Sequence, residues 1–256
     1  MRSAPAAPEP RLLRWVLREL DTVDSTQAEL DRLAAAGAPE GTVVSALHQT
    51  AGRGRRSRSW WDAPGESLLV SVLLRPPIAP ALAPQLTLVT AVAVVDALRS
   101  AACVSARIRW PNDVTADGRK LCGILAEASS GRDGRLEHVL LGIGINVNQT
   151  SFPPEIAERA TSLRLLAAAR QERAAVLARL LDALGDRYEA YLRAGLEAVR
   201  GAWRAASATL GERVLAPDGR AGTAEDLDRD GALLLRLDDG ALARVSSGEI
   251  ADAPPP

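Results

Sequence analysis

The longest apolar stretch of the chain, Leu86 to Val95, contains Thr87 and Thr90 and stops at Asp96. A bilayer span takes about 20 predominantly apolar residues, so this run has to be buried in a folded core instead, and it predicts a long helix from about Pro84 to Ala101. Ser67 to Leu74, rich in Leu and Val, predicts a buried strand that Pro76 and Pro77 end. Around these two lie a helix from about Thr26 to Ala36, a strand near Thr42 to Ala46, and strands at Arg107 to Trp110, Lys120 to Ala126 and His138 to Asn146. The stretches TADGR and SSGRDGR separate the last three, the second being a hairpin signal. Further on, Val176, Leu180, Leu184, Tyr188 and Leu192 recur every four residues, which makes one apolar helical face, and another helix follows near Leu196 to Ala206.

The pattern is α+β from Asp21 onward. With 256 residues, 47% of them hydrophobic, the chain can bury one substantial core and a small satellite. Beyond Thr209 the texture changes to short apolar runs, Arg213 to Ala216, Ala232 to Leu237 and Ala241 to Val245, divided by PDG, RDG and DDG turns. These runs predict a small antiparallel barrel. The expected organisation is an Ala- and Pro-rich tail over residues 1–10, a main domain over 11–208 and the barrel over 209–253. The closing Pro254, Pro255 and Pro256 are expected to lack order, as are most chain ends.

A net charge of −1 supplies no global field toward nucleic acid or an anionic membrane, so any basic site must be local. Cys103 and Cys122 show no CxxC spacing, and His48 and His138 lie far from them, which argues against a structural metal. The first twenty residues hold no signal-like apolar run. A cytoplasmic protein without a membrane role is expected. A winged-helix DNA-binding domain would need several helices ahead of Asp21, so no sequence-specific DNA binding is expected either.

Charge concentrates in Gln49-Thr-Ala-Gly-Arg53-Gly54-Arg55-Arg56-Ser57-Arg58-Ser59-Trp60. Glycines allow close backbone approach and guanidinium forks match carboxylate and phosphate oxygens, so the loop suits a substrate carrying both groups. Trp60 offers a stacking surface for an aromatic base. A solvated basic loop or a single-stranded nucleic-acid contact has the same composition. The loop is no P-loop, because GxxxxGK[ST] is absent.

Thirty of the thirty-one basic residues are arginine, and Lys120 is the sole lysine. A compact ammonium kept at one position among so many planar forks suggests a site that needs it, although an incidental surface lysine is the plain alternative. Asp113, after Trp110-Pro111-Asn112, is either a general base or part of an ordinary turn. Thr26-Gln27-Ala28-Glu29 fits a capping box that starts the first helix, and a helix start also receives polar ligands. Gly142-Ile-Gly144-Ile-Asn146 lacks the third glycine of a dinucleotide fingerprint.

Taken in order, DSTQ, QTAGRGRRSRSW, RWPND, GRKLCGIL and GIGINVN resemble the successive motifs of the biotin protein ligase family over about Asp21 to Asn148. LGERVL through VSSGEI is similar to that family's SH3-like C-terminal barrel. The resemblance implies a mixed sheet with flanking helices, and a two-step reaction. Biotin and ATP, with Mg²⁺, give biotinyl-5′-AMP and pyrophosphate, and the biotin then passes to a lysine of a biotin carboxyl carrier domain of acetyl-CoA or another acyl-CoA carboxylase.

By the same resemblance Arg55, Lys120 and Asp113 are the catalytic group, with Asp113 accepting or orienting the incoming amine's proton. Ser25, Thr26, Gln27, Gln49, Arg53, Gly54 and Gly123, together with Arg55 and Lys120, take the biotin side. Arg56, Arg58, Trp60 and Asn146, again with Arg55 and Lys120, take the adenylate side. The ligands of the Mg²⁺ are left open, and either a monomer or a homodimer fits. Gln27 stands where the family usually has Asn, Arg109 where Lys is usual, Ser57 where Gly is usual, and Cys122 where a small residue such as Ala is common. The nearest alternative is a lipoate or octanoate ligase, against which GRGRR, WPND and KLxGIL favour biotin.

Overall fold

A computed structural model describes residues 13–253, so the expected tail over 1–10 and the closing prolines lie outside the described residues. The anchor of the fold is strand β3, Ser67–Leu74, buried along its whole length. Side chains alternate between the faces of a strand, so Leu68, Val70, Val72 and Leu74 join the main core on one face. On the other, Leu73 meets a smaller cluster, while Leu69 and Ser71 line a cavity. Burial on both faces explains why the strand reads as a continuous apolar run.

Seven strands form the main sheet, in the order β1 (Val16–Val23), β2 (Thr42–Gln49), β3, β7 (Leu136–Asn146), β6 (Arg119–Ser130), β5 (Asp113–Ala116), β4 (Arg107–Arg109). Only β1 and β2 run parallel, so the sheet is mixed, as expected. Helix α1 (Thr26–Ala35) covers one face through Leu30 and Ala34 against Val44, Leu73 and Leu140. The opposite face carries α2 (Gln85–Ala102), which packs on α5 (Arg173–Ala194) and α6 (Glu197–Ala206).

Of the described helices, α2 with its preceding turn, Pro80–Ala102, is long and apolar enough to cross a membrane, and 72% of its most apolar stretch is buried in the fold. Its ends are tied to α5: Tyr191 donates to Gln85 at 2.8 Å, and Arg187 pairs with Asp96 at 2.7 Å.

Strand β1 was not legible as one. It is the outer strand of the sheet and carries VLRELDTV, mostly exposed, with no apolar alternation for a core to impose. Nor was β5, because Pro-Asn-Asp reads as a turn and the strand is only four residues long, Asp113 included, with a register shift against β6 after Val114. Short helices α3 (Pro154–Ala157) and α4 (Leu163–Ala167) also went unpredicted. The capping box does not form. Thr26 begins the helix, but its hydroxyl bonds Gln49 and Ser71, and Glu29 pairs with Arg18 and Arg32.

The expected C-terminal barrel is corrected to an open sheet. Its five strands run β11 (Leu242–Val245), β10 (Leu233–Leu237), β9 (Ala221–Leu227), β8 (Arg213–Leu215), β12 (Ala251–Asp252), all antiparallel. Closure would require β11 to bond β12. The chain instead leaves the sheet after Val245, and Gly248 and Glu249 reach the arginine loop before a two-residue β12 pairs with β8. The inner residues Val214, Leu227, Leu233 and Leu235 belong to the main core. Trp110 fastens this sheet to the rest, its backbone N–H donating to Thr209 and its indole N–H to the Gly231 carbonyl.

Candidate active site

The start of α1, the end of β2 and the middle of β3 meet at one buried polar cluster. Gln49 Oε1 accepts from the Thr26 backbone N–H at 2.8 Å and from the Thr26 hydroxyl at 3.0 Å. The same hydroxyl lies 2.9 Å from Ser71 Oγ, which donates to Gln27 Oε1 at 3.3 Å. Ser25, Thr26, Gln27 and Ser71 are all at most 4% exposed. Buried polar groups in such a chain must be matched, and this set offers donors and acceptors aimed at a common space.

Over that space folds the arginine loop, a small hairpin whose arms are tied by Trp60 N–H to Gly52 carbonyl at 2.9 Å and Gly54 N–H to Arg58 carbonyl at 2.7 Å. A side chain at position 52 would place its Cβ 2.8 Å from the Trp60 carbonyl, so only glycine lets the arms close. At its tip Arg56 and Ser57 adopt φ of 54° and 60°, the left-handed region that favours glycine. Arg55 turns inward, donating to Asn112 Oδ1 at 2.7 Å and to the Gly248 carbonyl at 3.3 Å. Burial of this guanidinium lowers its pKa. Arg58 reaches out instead, to Glu249 at 2.6 Å.

The opposite wall is the β6–β7 sheet surface. Gly123 and Gly144 are paired across it, and a Cβ on either would fall 2.7 or 2.5 Å from the Trp60 ring. The indole therefore lies flat on a patch free of side chains. Its N–H is buried and has no hydrogen-bond partner. The Lys120 ammonium stands 5.8 Å from the ring centroid, a cation–π distance, and 2.8 Å from Asp113 Oδ1. Asn112 donates to the same Asp113 oxygen at 3.2 Å.

The cavity enclosed between these walls is lined by Ser25, Thr26, Gln27 and Gln49 on one side, Arg53, Gly54, Arg55 and Trp60 above, and Lys120 and Gly123 beneath. Its volume is about 60 Å³, well under the ~300–1,000 Å³ of small-molecule sites, because the Trp60 indole and the arginine loop fill it. Every residue assigned to the biotin side is thus brought together. Asp113 does not line the cavity and reaches it through Lys120 and Asn112, which do, and Arg56 and Arg58 sit on the outside of the loop.

Asn146 closes β7 and does not line the cavity. It is 5% exposed, and its amide donates to the Thr161 carbonyl at 3.0 Å and the Lys120 carbonyl at 3.4 Å, joining the segment after α3 to β6. Three contributors went unnamed in the sequence: Ser71, Asn112 and Glu127. Asn112 had a signal, its place inside RWPND. Ser71 was hidden as one polar residue in an apolar strand, and Glu127 stood beyond the end of the GRKLCGIL motif. Among the described residues no group of three His, Cys, Asp or Glu side chains converges on a metal site.

Comparison with known proteins extends over both sheets. The profile of the Biotin/lipoate A/B protein ligase family matches residues 20–146, and that of the Biotin protein ligase C terminal domain matches residues 209–251. The bifunctional ligase/repressor BirA of Bacillus subtilis is 39% identical over 235 residues, covering 90% of this chain and 72% of that protein. The biotin--[acetyl-CoA-carboxylase] ligase of Mycobacterium tuberculosis is 38% identical over 245 residues, covering 91% of this chain and 88% of that protein. The biotin protein ligase of Aquifex aeolicus, solved with biotin and ATP, superposes with a TM-score of 0.79 at 31% identity, covering 92% of this chain and 97% of that one.

Proposed function

Because this chain belongs to the biotin protein ligase family, we propose how its own residues divide the two steps of ligation and which protein receives the biotin. It is an ATP-dependent biotin protein ligase, with biotin and ATP as substrates. In the first step a carboxylate oxygen of biotin attacks the α-phosphorus of ATP, the bond to the β-phosphate oxygen breaks, and pyrophosphate leaves. Two anions must approach, so the step depends on positive charge fixed at the point of attack.

Arg55 and Lys120 supply that charge. The convergence of Arg53, Arg55 and Lys120 on the one cavity walled by Ser25, Thr26, Gln27 and Gln49 is the observation that carries this assignment. Arg55 is held by Asn112 and the Gly248 carbonyl, so its fork does not have to be ordered when the anions arrive. Trp60 swings off the Gly123–Gly144 patch to make room and stacks on the adenine, a movement its unpartnered indole N–H supports. Any divalent ion arrives with the nucleotide phosphates.

In the second step the acceptor amine attacks the acyl carbon, and AMP leaves. A free lysine is protonated near neutral pH, so a group must take its proton. Asp113 does so, 2.8 Å from Lys120 and beside the cavity rather than in it. A lysine of a biotin carboxyl carrier domain is the acceptor, a choice supported by the carboxylase in the name of the Mycobacterium tuberculosis relative. The unbridged Cys103 and Cys122 and the demand for ATP support a cytoplasmic place of work.

The test is exchange of labelled pyrophosphate into ATP. Exchange is expected with biotin, and exchange with lipoate or octanoate but none with biotin overturns the substrate assignment.

A further inference from the structure

The inner end of the cavity and the arginine loop meet at a single oxygen atom. Glu127 Oε2 accepts a 2.9 Å hydrogen bond from Gln27 Nε2 and another of 2.9 Å from Arg53 Nη2. Glu127 does not line the cavity, and its side chain is 41% exposed, so whatever it does for a substrate it does through these two neighbours.

An amide can face either way, and its neighbours decide which. Around Gln27 Nε2 stand the Leu125 and Leu140 carbonyls, each at 3.4 Å, and the Glu127 carboxylate, all acceptors. The NH₂ group is therefore forced outward toward β6 and β7. Gln27 Oε1 is left facing Ser71 and the bare backbone of Gly142, where a Cβ would come within 2.4 Å of it. Both features depend on the side-chain length at position 27. A shorter Asn would not reach Glu127 from the same backbone, and a residue larger than glycine at 142 would push the longer amide aside.

Resting on the ligation reading, we propose that Glu127 is a positioning residue for biotin. It fixes the Gln27 amide so that Oε1 presents an acceptor to a ring N–H of the acid, and with the same oxygen it seats Arg53 at the cavity mouth. Recognition at the ring end and closure of the loop thereby share one carboxylate.

The proposal is tested by steady-state pyrophosphate exchange on the full chain with Glu127→Ala, Glu127→Gln, Gln27→Asn and the Glu127→Ala/Gln27→Asn pair. Glu127→Ala loses the charge-assisted hydrogen bond that orients Gln27 together with the exposed, weakly contributing Arg53 pair, which predicts about a tenfold rise in the KM for biotin. The kcat and the KM for ATP are expected to stay within about threefold. Glu127→Gln keeps an oxygen for Gln27 Nε2 and recovers most of the loss. The double variant is no worse than the poorer single, since both cut the same link.

An unchanged KM for biotin in Glu127→Ala, a fall in kcat alone, a Gln variant as impaired as Ala, or multiplicative losses would each overturn it. Gln27→Asn carries the same expectation and decides the matter where Glu127→Ala does not fold. A wild-type protein silent with biotin sinks the ligase reading itself. Wild-type activity with unmoved variants sinks only the role of Glu127.

Discussion

Replacing Lys120 by alanine removes the only ammonium side chain in the molecule from the floor of the cavity. A unit charge ~4 Å from the anion it stabilises contributes about 4 kcal/mol at an effective dielectric constant near 20. The Lys120 side chain is 39% exposed and shares its charge with Asp113 at 2.8 Å, so that figure has to be reduced to about 3 kcal/mol. At 1.36 kcal/mol per decade this is a loss of roughly 100-fold in the rate of adenylate formation. Lys120→Arg should fail as well. Lys120 sets a compact ammonium over the bare Gly123 backbone and 2.8 Å from Asp113, and a planar fork on a longer stem would carry its charge to a different point. Single-turnover formation of biotinyl-AMP, with the melting temperature as a control for folding, is the assay. A loss smaller than about tenfold in a folded Lys120→Ala protein would refute the charge argument, and full activity in Lys120→Arg would refute the need for a compact ammonium.

Other consequences are open to direct measurement. Biotin with ATP should slow tryptic cleavage at Arg53 to Arg58, and Glu249→Gln, which breaks the 2.6 Å pair with Arg58, should speed it. An exposed pair is worth ~0.2–1 kcal/mol, so the acceleration should not exceed about fivefold, and equal rates in all states would contradict the loop's attachment. Burial pushes the Cys122 thiol well above its ordinary range while Cys103 is exposed. An aromatic disulfide reagent should therefore titrate one thiol in the native protein and two after denaturation; two fast native thiols would mean that β6 is not packed as described. Burial also lowers the pKa of His138, with Arg75 adding to the shift and Asp31 and Glu137 opposing it. Below the unfolded value of about 6.5 the unfolded chain then binds the extra proton. Stability should rise with pH up to that point and level off above it, and His138→Gln should flatten the rise. An identical slope of melting temperature between about pH 5 and 6.5 in both proteins would contradict this.

What the chain disclosed in advance follows from where its information is local. Strand β3 and helix α2 could be read almost to the residue because burial on both faces leaves an unbroken apolar record. The arginine loop and Lys120 stood out because glycine, clustered guanidiniums and a solitary ammonium are rare enough to need a reason, whereas the DSTQ segment read as an ordinary helix start until the family resemblance drew it in. The outer strand β1 left no such mark, since solvent accepts any polar pattern. Other features depended on contacts that only the folded chain creates. Gln27 and Glu127 are 100 residues apart, and Arg55 meets Gly248 across 193. The flat seating of Trp60 needed two glycines to be placed opposite each other on neighbouring strands, which the separate motifs did not reveal. Barrel closure failed for a related reason: turn spacing announces strands but does not say what the segment between the last two is used for.

That segment makes the small sheet a participant in chemistry it does not touch. Arg55 and Arg58 rest on Gly248 and Glu249, so any ligand that holds the arginine loop shut also tightens the strands on either side of those residues. Linkage requires the converse by the same factor. Amide exchange in β11 and β12 thus becomes a gauge of active-site occupancy, and a molecule gripping the outer edge of the open sheet would alter affinity for biotin and ATP without entering their cavity.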